Sequence, residues 1–214
     1  MNKIEHKSIK FFDKFFPDHK NIDKMKLQIT TEGIYSVSGH HATKHISKII
    51  FKIFGTNKIT ITDATANNGS DTISFALFFD KVNAIELESV NYSVLKHNVK
   101  EYDLKNVELY EGSCLDIIPK ICKNIVCQDV IFIDAPWMKN YKEYETVSLY
   151  LDKIEISDIF MKYEQYCRIM IFKVPTNYNF NKFFSRVINK KFTVVPYYDK
   201  RFNLKFHYII CTAK

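Results

Sequence analysis

The spacing of apolar positions changes once along the chain. Before residue 58 they recur at 3 and 4 residues: Phe11, Phe12, Phe15 and Phe16 predict a helix closing near Pro17, and Ala42, His45, Ile46, Ile49, Ile50 and Ile53 predict a second over 40–54. From Lys58 onward, short β-rich runs alternate with helix-spaced segments. Strands are expected at 58–63, 82–86, 106–110, 130–134 and 168–174, with two more near 192–198 and 206–212. Helices are expected after Gly69 through Phe79, over 89–102, over 114–123, and from Phe180, where Phe183, Phe184, Val187 and Ile188 hold helical offsets. Such alternation calls for an α/β domain whose mostly parallel sheet is covered on both faces. No Pro-, Gly- or Ser-rich linker interrupts it. The expected organisation is a helical cap segment over 1–30 and one domain over 31–214.

Composition narrows the function classes. The chain has 214 residues, 46% of them apolar, enough to bury roughly 70% of its extended surface. Lys plus Arg number 31 against 24 Asp plus Glu, a charge of +7 spread along the chain, which predicts a basic surface and no basic arm. No apolar run reaches the roughly 18 residues of a membrane span, and the lysine-rich start lacks the core of a secretion signal. Five cysteines, Cys114, Cys122, Cys127, Cys167 and Cys211, lack a Cys-x-x-Cys pair and argue against a disulfide scaffold and a thiolate zinc site. An intracellular, reducing setting is expected, the cytoplasm first, with the nucleus left open. Lysine, isoleucine and asparagine abound while only Arg168, Arg186 and Arg201 are arginines, a bias that points to an A/T-rich genome such as a viral one. His40, His41 and His45 have no acid or thiol at ligand spacing, so no metal is expected. The five glycines, Gly33, Gly39, Gly55, Gly69 and Gly112, are few enough that each should stand where the backbone needs it.

The candidate chemistry lies in three loops after strands, where open α/β sheets bind ligands. Asp63-Ala64 leads through Asn67, Asn68 and Gly69 to Ser70, a small-residue turn into a helix; the competing reading is a helix cap by Asn68 or Ser70. Neither a dinucleotide fingerprint nor a P-loop is present. Glu86, ending the second strand, can bond both hydroxyls of a ribose, whereas Glu88 opens the next helix. Asp134-Ala135-Pro136-Trp137 follows the apolar strand Val130-Ile131-Phe132-Ile133 and holds the only tryptophan, a flat face for a nucleobase beside a carboxylate that can accept from an amino group.

These residues resemble a family. Glu32-Gly33-Ile34-Tyr35-Ser36-Val37-Ser38, Asp63-Ala64 with Thr72-Ile73-Ser74-Phe75-Ala76, Ala84-Ile85-Glu86-Leu87-Glu88 and Asp129 through Trp137 are similar, in this order, to trimethylguanosine synthases. These are class I S-adenosylmethionine-dependent methyltransferases that act on N2 of the 7-methylguanosine RNA cap. The resemblance implies a three-layer Rossmann-like fold with a mostly parallel seven-stranded sheet, S-adenosylmethionine as cofactor, and capped RNA as partner of a monomer. It implies cofactor contacts from Ser38, Asp63, Ala64, Gly69, Glu86, Ser113 and Asp134. Catalysis falls to Asp134, Pro136 and Trp137, and substrate binding to Trp137, Tyr35, Lys139 and Lys142, with Lys24 and Lys26 as further candidates for the cap phosphates. Asn67 and Ser70 stand where the family has glycines, Ser113 where an acid is usual, and Met138-Lys139 where two glycines follow the tryptophan. Two other readings stay open: an amino-group methyltransferase of tRNA, rRNA or DNA bases, and an RNA-binding module that kept the fold and lost turnover.

Overall fold

The computed structural model describes residues 2–20, 22–123 and 126–213. The chain divides into two compact units, Met1–Ile118 and Pro119–Lys214. Among the described residues no helix is long and apolar enough to cross a membrane.

In the first unit, β1 (Ile4–Glu5) and α1 (Ile9–Phe15) precede β2 (Ile29–Thr30), α2 (Gly33–Ser36) and α3 (His40–Phe54). Then β3 (Thr60–Asp63), α4 (Ser70–Ala76), β4 (Lys81–Glu86), α5 (Ser89–Glu101) and β5 (Val107–Glu111) alternate, and α6 (Cys114–Cys122) begins. β4 pairs in parallel with β3 and with β5; Asp63 lies opposite Ala84 and Glu86 opposite Glu111. The turns after all three strands therefore leave from one edge. The aromatic N-terminal segment is part of the core: Phe12 and Phe16 are buried with Leu27, Ala84, Leu95 and Val99. Each phenylalanine contributes about 2–3 kcal/mol of burial.

α4 is shorter than the apolar spacing predicts. It ends at Ala76, and the Phe78 and Phe79 amides fold back onto the Phe75 carbonyl in a tight turn.

A buried polar network ties the short N-terminal elements to the first βα turn. Asn68 Oδ1 accepts from the Thr30 amide at 2.8 Å, and Thr30 Oγ1 lies 2.7 Å from Asn91 Oδ1 on α5. Asn98, about two turns further along α5, donates to the carbonyls of Gln28 and Asn68, both at 2.9 Å, and accepts from the Gln28 amide. Thr30, Asn68, Asn91 and Asn98 are all buried. Gly33 closes against this network: a Cβ there would stand 1.9 Å from Asn68 Oδ1.

The second unit contains β6 (Gln128–Ile133), the hairpin β7 (Tyr150–Leu151) and β8 (Ile154–Glu155), α7 (Ile156–Tyr163), β9 (Cys167–Pro175), α8 (Phe180–Arg186), β10 (Lys191–Tyr198) and β11 (Leu204–Thr212). β6 runs parallel to β9; β11 is antiparallel to β9 and to β10. The buried run of β9 and the exposed positions of β10 reflect a strand between neighbours and a strand at an edge. α8 stops at Arg186, and Asn189 beyond it takes φ +65; Val187 is buried but Ile188 is 66% exposed, outside the predicted helical face.

The cysteine expectation needs correction. Cys122 and Cys127 form a disulfide where the chain returns from α6 to β6, with Cα atoms 5.1 Å apart. An odd, irregular set of cysteines leaves room for one such local pair, which spacing rules for scaffolds do not detect. Cys114, Cys167 and Cys211 are buried thiols outside this disulfide.

Asn98→Ala leaves the Gln28 amide, the Gln28 carbonyl and the Asn68 carbonyl without their buried partner. The expected loss is about 2–3 kcal/mol, read from urea unfolding; a loss under about 0.5 kcal/mol, the range of ordinary surface changes, would show that the network does not hold the first unit.

Candidate active site

In the first unit the site is built on the turn after β3. Asp63 is fully buried and its Oδ2 accepts from Thr72 Oγ1 at 2.6 Å, which fixes the strand end against α4; Ala64 is buried beside it. The turn is closed by the Gly69 amide donating to the Ala66 carbonyl at 2.9 Å, with Gly69 at φ +93. Asn67 occupies φ +49, a region where asparagine is tolerated because its short side chain bonds locally. Asn68 does not cap α4; its side chain turns away to Thr30.

The two residues that replace family glycines have structural work. Asn67 Nδ2 donates to Ser36 Oγ at 2.7 Å, and Ser70 Oγ donates to the Ser38 carbonyl at 2.9 Å. Both bonds hold the strip 36–38 onto the turn, so Ser38 is buried at the position the sequence singled out. Tyr35, on the exposed side of α2, is 82% exposed.

Glu86 links the turns of β3 and β4. Its Oε2 accepts from the Asn67 amide at 2.7 Å and its Oε1 from the Glu88 amide at 2.9 Å. Burial pushes the carboxyl above the usual range, and the bonds from the Glu88 and Asn67 amides and the Asn91 side chain pull it partly back. Glu88 takes the N-cap position of α5. The Gly112 amide donates to the Glu86 carbonyl at 2.8 Å, with Gly112 at φ +135. Ser113 opens α6: its carbonyl accepts from the Asp116 and Ile117 amides, and its Oγ from the Leu115 amide.

In the second unit the turn after β6 carries Asp134, buried Ala135, exposed Pro136 and half-buried Trp137. The strand ends one residue earlier than predicted, so Asp134 is the first residue of the turn. A residue that the sequence reading missed completes the group. Lys173 on β9 is buried, and its ammonium sits 2.6 Å from Asp134 Oδ2, 5.3 Å from the Trp137 ring and 5.0 Å from the Phe206 ring. Nothing local could reveal it, because it lies in an apolar strand 39 positions from its partner. Trp137 also meets Tyr141 edge to face at 5.2 Å, and the Asn177 amide group donates to the carbonyls of Tyr141 and Tyr144, both at 2.8 Å. The indole Nε1 is buried without a hydrogen-bond partner among the described residues.

The lysine candidates separate. Lys139 and Lys142 are exposed, Lys142 lying 5.8 Å from the Tyr141 ring. Lys24 is buried between Asp13 at 3.0 Å and Asp18 at 2.5 Å, an ion cluster that holds the N-terminal segment together and removes this residue from the phosphate-binding candidates. Lys26 is exposed.

Lys173→Met strands a partly buried Asp134 and should cost about 3 kcal/mol, whereas Asp134→Leu added to it should recover most of that loss. Urea unfolding of the two single variants and the double variant measures the coupling; additive losses would show that the two groups do not act as a pair.

A protein of Acanthamoeba polyphaga mimivirus, itself uncharacterized, is 34% identical over 140 residues, which is 64% of this chain and 53% of that protein. The chain thus spans about half the length of this curated relative. Among solved structures, a putative methyltransferase from Porphyromonas gingivalis superposes with a TM-score of 0.66 at 13% identity, over 82% of this chain and 40% of that one. An O-methyltransferase from Bacillus cereus in complex with SAH gives a TM-score of 0.56 at 16% identity, over 83% of each chain. These likenesses show the fold, a mixed α/β, Rossmann-like architecture with a mostly parallel seven-stranded central sheet. The sequence profile described as RNA cap guanine-N2 methyltransferase matches residues 58–213, and the chain belongs to that family.

Proposed function

We propose that this protein transfers a methyl group from S-adenosylmethionine to the exocyclic N2 of the 7-methylguanosine cap of RNA. The observation that carries the reading is the turn after β6, where one short segment presents a carboxylate and a half-buried indole face. A cationic purine with an exocyclic amine is complementary to that set.

The first unit fits the cofactor. Glu86 offers a buried carboxylate at a strand end, the position from which an acid bonds ribose hydroxyls. Asn67, Gly69 and Gly112 give turns of positive φ, and the glycines let the backbone approach a ligand. Ser38, held by Ser70, belongs to the strip expected at the methionine end. When bound, S-adenosylmethionine supplies a methyl group on a positively charged sulfur.

The remaining work is done by side chains of the protein. Trp137 stacks on the guanine and fixes its plane. Asp134 accepts a hydrogen bond from the N2 amine, so the amine is held in one orientation and the positive charge that develops on nitrogen is stabilised. Lys173 bonds Asp134 Oδ2, which fixes the carboxylate while leaving it acceptor capacity, since an ionised carboxylate has about four lone-pair sites. Pro136 limits the motion of the turn between these groups. Lys139 and Lys142 contact the cap phosphates.

Methyl transfer from labelled cofactor to 7-methylguanosine-capped RNA, unmethylated cap, uncapped RNA and DNA tests the reading. Label at guanine N2, confined to the 7-methylated cap, is expected; label on adenine, or on no substrate, would overturn it. In the same assay series Trp137→Ala should weaken cap binding by about 1–3 kcal/mol.

Glu86 gives a pH prediction. Its carboxyl is raised on folding, so it contributes stability at low pH that is lost as pH rises through the raised value, while the ionised form needed for ribose binding is lost as pH falls through that same value. Affinity for S-adenosylhomocysteine should therefore decline on acidification from above the ordinary carboxylate range, and Glu86→Gln should bind weakly at every pH. A wild-type decline that begins only at the ordinary carboxylate value would contradict this role.

A further inference from the structure

The turn of the β10–β11 hairpin has no part in the chemistry above, yet the register of its strands brings it to the same edge of the second unit as the Trp137 turn. Ile133 at the end of β6 lies opposite Phe172, and Phe206 near the start of β11 lies opposite Pro175 at the end of β9. The hairpin turn, residues 199–203, therefore projects from the carboxyl edge of β6 and β9. Aromatic contacts lead toward it: Trp137 meets Phe206 at 6.4 Å, and Tyr197 stacks on Phe206 at 4.8 Å and 17°. The pairing shifts register between Tyr197 and Tyr198, the kind of irregularity that re-aims side chains beside binding sites.

The turn beyond is locked. Asp199 Oδ1 accepts from the Arg201 amide at 2.9 Å and the Asn203 amide at 3.0 Å, and Oδ2 takes the Lys205 ammonium at 3.0 Å. The Asn203 amide above all, with Lys205, draws the Asp199 carboxyl down to about 2, so the lock is intact at any working pH. The Phe202 amide donates to the Asp199 carbonyl at 3.0 Å. Held this way, Phe202 sits at φ +60, a costly backbone for a bulky residue, and the residue is 88% exposed. Lys200 and Arg201 beside it are exposed, and neither joins an ion pair among the described residues.

We propose that this turn binds the single-stranded RNA that follows the cap: Phe202 stacks on a base while Lys200 and Arg201 contact phosphates. Stacking on an exposed ring flanked by cations is how single strands are held without reading their sequence. A narrow convex tip offers far less than the roughly 800 Å² per side of a stable protein interface. Four chain positions separate Phe206 from Phe202, at most about 14 Å of fully extended chain, a span that an extended chain of nucleotides can follow. The direction of the strand rests on the reading of Trp137 as the cap platform; the binding role of Phe202 does not.

The test compares binding of a capped single-stranded RNA of about 12 nucleotides, within the site sizes of single-strand-binding modules, with the same RNA uncapped, the cap dinucleotide alone, and heparin, a polyanion without bases. Phe202→Gly should weaken both RNAs about tenfold and leave the cap dinucleotide and heparin unchanged. Its thermal midpoint should hold or rise, since glycine relieves the positive φ, which separates lost stacking from lost folding. Phe202→Trp should retain affinity. Lys200→Ala with Arg201→Ala should lower the salt slope of RNA binding by about 1.4. Equal RNA affinity of Phe202→Gly and wild type, or an equal loss on heparin, would overturn the proposal. A tenfold loss on both RNAs by a protein with no preference for the cap would uphold the hairpin and refute the cap reading instead.

Discussion

Amide side chains cannot be buried without partners, and in the first unit that requirement decides where the chain goes. Asn68, Asn91 and Asn98 lie out of water, and each uncompensated group would cost on the order of 1–3 kcal/mol. Asn68 and Asn98 find their partners in the backbone of Gln28, Thr30 and the turn itself, and Asn91 in the Thr30 hydroxyl and the Asn68 amide group. Satisfying them brings the strip through Gly33 against the turn after β3. Ser36 and Ser38 then meet Asn67 and Ser70, and Glu86 closes the far side through the Asn67 amide. The turn is rigid because it is surrounded by obligations that only one conformation meets, a preorganisation suited to a ligand bound by backbone and carboxylate.

The second unit solves a different problem with a charge. Lys173 is buried within an apolar strand, and its ammonium is tolerated because Asp134 and two aromatic rings receive it. That arrangement fixes the carboxylate and the indole relative to each other through one side chain. The polar requirement of Lys173 and the geometric requirement of amine recognition are met by the same contact. The remaining aromatic surface, from Phe206 to Tyr197, continues out along the hairpin.

What the sequence made legible was periodic or local. Strand and helix order followed from the apolar spacing, and Asp63, Glu86 and the Asp134–Trp137 turn from their places at strand ends. Lys173 was hidden because a lysine directly after Ile-Met-Ile-Phe reads as a solvated interruption, and its meaning comes from a partner 39 residues away. Asn68, Asn91 and Asn98 were hidden differently: in an asparagine-rich chain a buried amide looks like a turn former or a compositional excess. Lys24 misled in the opposite sense, since a surface-type residue proved to be the buried centre of an ion cluster. The β7–β8 hairpin, the Cys122–Cys127 pair and α7 lacked any signal strong enough to stand out from the loops around them.

The central claim is that strip and turn form one unit through the asparagine network. Amide hydrogen exchange tests it most directly, comparing wild type with Asn91→Ala under native conditions. The account predicts that the amides of Thr30, Gly33 and Asn67 are slow in the wild type and lose protection together in the variant. Faster exchange at Thr30 and Gly33 with Asn67 unchanged would contradict it, and the turn would then owe its conformation to its own sequence.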